Sequence, residues 1–299
     1  MKVLVSGATG LIGHALKDQL EARGDTVITL TRTPERVSGP AARWDPTKGQ
    51  LDPRALDGVS AVVHLAGENI AKRWTQAQKR KILESRTLST RLLAEAVAKH
   101  VGSTSVFVSC SAIGIYGSEH EGDVDESTSP GTGFLSRVCT AWEAEAQTAR
   151  DAGVRVVHPR IGIVLSPKGG ALAELLPPFR LGLGGPMGSG RQTMSWIGIQ
   201  DTVGLLLHAI DRPEVSGPLN VTAPHPVTNL TFAHTLAKVI SRPAALPLPG
   251  FALKILMGSE LAEGLFLNGA RVVPRAAEAT GYRFQHPKLE GCLRGMNLS

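Results

Sequence analysis

The sequence is poor in cysteine, in aromatic residues and in long apolar runs. Its three cysteines, Cys110, Cys139 and Cys292, are odd in number and show no C-x-x-C spacing, which argues against both a disulfide framework and a zinc site and favours a reducing, cytoplasmic setting. No metal site is expected. Aromatic residues make up 4%, few for a surface that stacks single-stranded nucleic acid. No apolar stretch approaches the roughly 18 residues of a membrane span, and Met1-Lys2 leads straight into VLVSG without a basic leader or cleavage site, so export and membrane insertion are not expected. Runs of about five like charges are also missing, although the formal charge is +6 and the pI is near 9.4. A basic pocket for phosphates accounts for that balance as well as nucleic acid would, and nucleic acid is the less favoured partner.

What remains is ordinary globular composition, 42% hydrophobic and 19% charged in 299 residues. The length exceeds the usual single-domain size of about 100–150 residues, so one larger domain with a smaller appendage is expected. The β-branched run at 3–6 is followed by GATGLIG and by Ile12, Leu16 and Leu20 at helical spacing. Further strands are expected at 26–30, around 41–44, at 61–66, 106–109 and 154–158. Helices are expected from Leu83 to Val97 and over 134–150. This alternation predicts an α/β, Rossmann-type, doubly wound parallel sheet. Five of the nine residues from Gly182 to Gly190 are glycine, and prolines cluster beyond 222. Residues 1–165 and 190–222 are therefore assigned to a dinucleotide-binding domain, and 166–189 and 223–299 to a smaller, mainly helical substrate region. Asp201 is expected to cap a helix.

Gly7, Gly10 and Gly13 lie between a strand and a helix. Glycine permits the tight turn and close backbone approach that a pyrophosphate needs, and the helix tip, with Thr9, Leu11 and Ile12 around it, offers unpaired N–H groups. At the end of the second strand, where an acid usually meets the ribose of NAD, stand Thr31 and Arg32. An arginine there favours the 2′-phosphate of NADP(H); a solvated arginine at a strand end is the plain alternative.

With HLAG at 64–67 and SCSAIGIYG at 109–117, GATGLIG resembles the extended short-chain dehydrogenase/reductase superfamily, that of the NAD(P)-dependent nucleotide-sugar epimerases and dehydratases. GENIAKRW at 67–74, PRIGIVLS at 159–166, SWI at 195–197 and HPVTNLTFAHTLA narrow the resemblance to an atypical branch, epimerase family proteins of unassigned substrate with a small C-terminal domain of unknown function. The resemblance implies cofactor contacts from Leu65, Ala66, Gly67 and Glu68, from Ser109, and from Pro159, Arg160 and Ile161. It implies Ser111 as the catalytic hydroxyl. It also implies a homodimer by analogy, through helices at 86–98 and 134–150.

The superfamily's Tyr-x-x-x-Lys pair, in which the lysine brings the phenol toward neutrality, is replaced by Leu135 and Cys139 or, one residue earlier, by Phe134 and Val138. Tyr116, Glu68 and Cys110 are candidate substitutes for the proton carrier, with Tyr116 preferred. Arg86 stands where an asparagine is common and Met194 where an arginine often reads a sugar nucleotide. Arg73, Trp74, Arg86 and Arg160 could form a basic pocket for an acidic ligand. Two functions are carried forward: an NADP(H)-dependent oxidoreductase or epimerase-like enzyme acting on an unknown small substrate, and a non-catalytic NADP(H)-binding redox sensor or regulator.

Overall fold

The computed structural model describes residues 1–244 and 246–298. Its strands are β1 (Lys2–Ser6), β2 (Thr26–Thr31), β3 (Ala41–Asp45), β4 (Gln50–Leu51), β5 (Ala61–His64), β6 (Val106–Ser109), β7 (Ser111–Ala112), β8 (Asp123–Val124), β9 (Arg155–Ile161), β10 (Ile163–Leu165), β11 (Thr193–Met194), β12 (Trp196–Gly198), β13 (Gly217–Val221), β14 (Val227–Thr228) and β15 (Arg271–Val272). The helices are α1 (Leu11–Ala22), α2 (Gln76–Ala98), α3 (Gly133–Ala144), α4 (Gln147–Asp151), α5 (Gly170–Arg180), α6 (Ile199–Asp211), α7 (Asn229–Val239), α8 (Gly250–Met257), α9 (Ser259–Ala262), α10 (Arg275–Ala279) and α11 (Leu289–Arg294).

The main sheet runs β13-β9-β6-β5-β1-β2-β3-β4, with β7 alongside β9. All its pairings are parallel except the β3–β4 edge. Side chains alternate across a strand, and β1 shows the result. Val3 and Val5 enter one core with Leu16, Leu20, Leu205 and Leu206 of α1 and α6. Leu4 enters the opposite one with Leu93, Val97 and Phe107. Both faces are covered, as an α/β sheet requires. A separate cluster, Phe179, Trp196, Phe232, Leu289 and Leu293, holds α5, α7 and α11 together.

The doubly wound sheet and the largely helical C-terminal part agree with the sequence reading. Several details differ. The helix expected over 134–150 is two helices, α3 and α4, parted at Glu145 and Ala146. The strand expected at 154–158 continues to Ile161, where it pairs with β7 and β13. Asp201 is no cap. Gly198 occupies that position, while the buried Asp201 carboxylate accepts hydrogen bonds from Tyr282 Oη (3.0 Å), Gln285 N (2.8 Å) and His286 N (2.9 Å). The C-terminal part also returns a strand, β15, to lie parallel to β8.

Candidate functional site

Strand order reverses at β1, which has β2 on one side and β5 on the other. The crevice beyond the carboxyl ends of two such strands is where open α/β sheets bind ligands. Here it is floored by the glycine bend. Gly7 has φ +72°, and a Cβ on it would lie 2.9 Å from Ala66 N. A Cβ on Gly13 would fall 2.1 Å from Gly7 O, so α1 packs into the bend only without one. Gly10 is the N-cap of α1 and donates from N to Gly7 O at 3.0 Å. No acidic residue or side-chain cap neutralises the first turn, and among the described residues the N–H groups of Leu11 and Ile12 have no partner. Thr9 and Gly10 are exposed beside them. A helix tip with free donors and positive dipole suits a pyrophosphate, so these residues fit a dinucleotide. Residues 169–170 lie over this tip: a Cβ on either glycine would meet Leu11, at 3.5 and 3.4 Å.

At the end of β2, Thr31 Oγ1 accepts from Thr33 N. The exposed Arg32 side chain has no hydrogen bond or ion pair among the described residues, while Arg43 grips the Arg32 carbonyl at 3.1 Å and pairs with Glu35. Arg32 is thus held by its backbone with its charge free at the rim.

At the end of β5, His64 is fully buried. Ser89 Oγ donates to Ser85 O at 2.6 Å and so accepts from His64 Nε2 at 2.9 Å. His64 Nδ1 then accepts from Ser6 Oγ at 2.6 Å, and Ser6 Oγ in turn receives the N–H of Leu65 (3.2 Å) and of Ala66 (3.4 Å). This chain of bonds fixes the 65–66 backbone against Gly7. Burial, with the nearby Arg86 charge, lowers the His64 pKa to about 3. Gly67 is exposed beyond it. Glu68 turns away, its carboxylate engaged by Lys72 and Gln78 and held below the usual range first by Lys72.

The reacting end is built from β6, β7, β9 and α3. Ser109 and Ser111 are buried, and neither hydroxyl makes a hydrogen bond of ordinary length among the described residues. Leu135 packs on Gly114, 3.1 Å from the place a Cβ would take. Cys139 stands beside Ser111, and burial raises its thiol to about 11. Phe134 instead packs edge-on to Trp74 at 5.0 Å, so Cys139 is the residue of α3 that meets β7, and Leu135 meets the turn that follows it. Cys110 points into the α1–α6 core, where burial pushes its thiol far up.

Pro159 and Arg160 are buried and Ile161 half-buried on β9. The Arg160 side chain is committed. Its Nε and Nη2 hold Glu143 at 2.9 Å each, and Nη1 donates to Tyr116 Oη at 2.8 Å. Burial raises the Glu143 carboxyl, but Arg160 outweighs it and holds the group below its ordinary value. Tyr116 is fully buried, donates to Asn220 Oδ1 at 2.7 Å, and is raised to about 12, chiefly by burial. The four-residue basic pocket is not assembled as expected. Arg73 lies against Gly258 and Trp74 against Gly264 of the C-terminal part, Arg160 is paired, and only Arg86 presents its charge near Ser111 and Cys139.

The family model described as NAD dependent epimerase/dehydratase matches residues 3–222. The chain belongs to that family. A second model, a domain of unknown function (DUF1731), matches residues 248–296. An epimerase family protein of Mycobacterium tuberculosis is 42% identical over 285 residues, 95% of this chain and 93% of its own length. The human epimerase family protein SDR39U1 is 39% identical, covering 98% of this chain and 99% of the relative. A crystal structure of human SDR39U1 (isoform2) with NADPH superposes with a TM-score of 0.89 at 38% identity, covering 99% of both chains. Resemblance to the epimerase family, including its C-terminal domain of unknown function, is thereby established.

Within this epimerase/dehydratase framework several site residues escaped the sequence reading. His64 closes an apolar strand, and nothing adjacent shows that Ser6 and Ser89 meet it. Glu143 carries no mark of Arg160, nor Asn220 of Tyr116, because each pair forms between separate elements. Gly169-Gly170, next to Lys168, was a readable signal of close approach and was missed.

Proposed function

We propose that this family member binds NADPH in preference to NADH and reduces a small carbonyl compound at the crevice between β1 and β5. The observation that carries the reading is the unneutralised tip of α1 behind a glycine bend that admits no side chain at Gly7 or Gly13. The NADPH in the human relative's crystal structure supports it. Bound NADPH would supply the hydride. Arg32 holds the 2′-phosphate, Leu65 to Gly67 line the ribose path, and the backbone of Pro159 to Ile161 meets the nicotinamide end above Ser109. Ser111, buried and making no hydrogen bond of ordinary length among the described residues, orients the substrate oxygen where negative charge develops. Tyr116 positions Arg160 and Asn220, since its hydroxyl is engaged on both sides.

A second reading, a non-catalytic NADP(H) sensor, draws on one observation: Cys139 stands beside Ser111 and Leu135 packs on Gly114, where a phenol and an amine would exchange the proton.

Calorimetry with both dinucleotides tests the cofactor. Arg32→Ala is expected to weaken NADPH about tenfold or more, because a charge-assisted hydrogen bond contributes about 1.5–3 kcal/mol, with NADH unaffected. Equal or tighter binding of NADH would sink the preference. NADPH consumption across a panel of carbonyl compounds, lost in Ser111→Ala with cofactor affinity kept, separates the enzyme from the sensor.

A further inference from the structure

Arg86 lies on the face of α2 that turns to the crevice. Its guanidinium would sit 3.1 Å from a Cβ on Gly67 and stacks on the Trp142 ring at 5.0 Å. Nη1 donates to the carbonyls of Glu68 and Ile82, both at 3.1 Å. Nε and Nη2 have no hydrogen-bond partner among the described residues, and no described carboxylate pairs with the group. Glu68, the acid closest to it along this loop, is engaged by Lys72 and Gln78. Arg86 is half-buried, and burial lowers its pKa against the weaker pull of Cys139 and Glu68; a partly desolvated cation with no ion-pair partner in contact is costly, and a guanidinium fork matches an oxyanion in two bonds. Close by, Ser111 is 2% exposed, and its hydroxyl makes no hydrogen bond of ordinary length among the described residues; the Cys139 thiol and the Glu143 carboxylate, itself held by Arg160, are its polar neighbours. Cys139, beside Ser111, lies on the same buried face of α3 as the Trp142 ring on which Arg86 stacks, which brings the two groups to one end of that helix.

We infer that Arg86 and Ser111 form a receptor for a small oxo or hydroxy acid, Ser111 taking the reacting oxygen and the Nε–Nη2 fork of Arg86 the carboxylate. The inference rests on the dinucleotide reading above and names the substrate class of that site. Neutral carbonyl compounds leave the Arg86 charge unmet and bind more weakly. A sugar nucleotide offers phosphates instead, and Met194, buried against Asn229, gives that group no charge.

Oxalate, a planar dianion that accepts no hydride, is the probe. It is titrated by calorimetry into the protein saturated with NADP+ and into the protein alone. The expected result is saturable binding that Arg86→Met weakens about tenfold or more, in line with loss of a charged bidentate contact. Arg86→Lys falls between, having charge without the fork, and Ser111→Ala weakens oxalate to a smaller degree. NADPH affinity stays within about twofold in all three, as expected when only substrate contacts are removed. The lysine variant and wild-type titration remain informative if Arg86→Met does not fold. Failure of oxalate to bind the wild type overturns the receptor. So does loss of NADPH affinity in both Arg86 variants with oxalate unchanged, which assigns Arg86 to the cofactor's phosphates. If NADPH gives no heat while oxalate binds through Arg86, the dinucleotide reading falls and the receptor stands.

Discussion

His64 carries the clearest consequence of burial at a single residue. Both ring nitrogens are engaged by serines, and the folded chain keeps the ring neutral down to about 3, whereas an unfolded histidine protonates near 6.5. Because the folded value is depressed, unfolding takes up a proton between these two values. The stability this group contributes is complete above 6.5 and declines as pH falls, at up to about 1.4 kcal/mol per pH unit. Urea unfolding of wild type and His64→Gln at pH 7 and pH 5 is expected to show their stability gap narrowing by about 2 kcal/mol. Parallel pH slopes for the two proteins would refute it. The histidine itself was visible at the end of an apolar strand. Its partners, 58 and 25 residues away, were not.

The elements around Ser111 were legible to different depths. The alternation of β1, α1 and β2 is written in local periodicity, and the glycine bend sits in one contiguous motif, so both were read from neighbours alone. The break between α3 and α4 was not, because Trp142, Ala146 and Ala149 continue a buried stripe across it. Tyr116 in its sequence context offered a phenol near a strand end, while its acceptor Asn220 lies 104 residues on. The short helical turn that carries Tyr116 is thereby tied to β9 through Arg160 and to β13 through Asn220. Tyr116→Phe leaves Arg160 Nη1 and Asn220 Oδ1 short of a partner in the interior, which is expected to destabilise the protein by about 1–3 kcal/mol in denaturant unfolding. An unchanged midpoint together with lost turnover would make Tyr116 the proton carrier instead.

At the scale of the molecule, the C-terminal part is stitched to the sheet by buried polar contacts. Asp201 receives Tyr282, Gln285 and His286. Asn220 Nδ2 donates to Val273 O at 2.9 Å, and Glu126 accepts from the N–H groups of Asn220 and Ala276. Ser195 Oγ bridges Ala270 O and Val272 N. Asp201→Ala removes three of these bonds and is expected to cost about 3 kcal/mol or more, with hydrogen exchange quickening over 282–293 while the strand amides of β1 and β5 stay protected. Unaltered exchange there would show that apolar packing of α11 alone holds the segment.

A nascent chain that has cleared the ribosome as far as residue 222 already owns every strand of the principal sheet. Its Asp201 carboxylate and Asn220 Nδ2 must wait for translation of the remaining segment before they find their mates. Until that segment is made, their partners do not exist and water takes the place of these bonds.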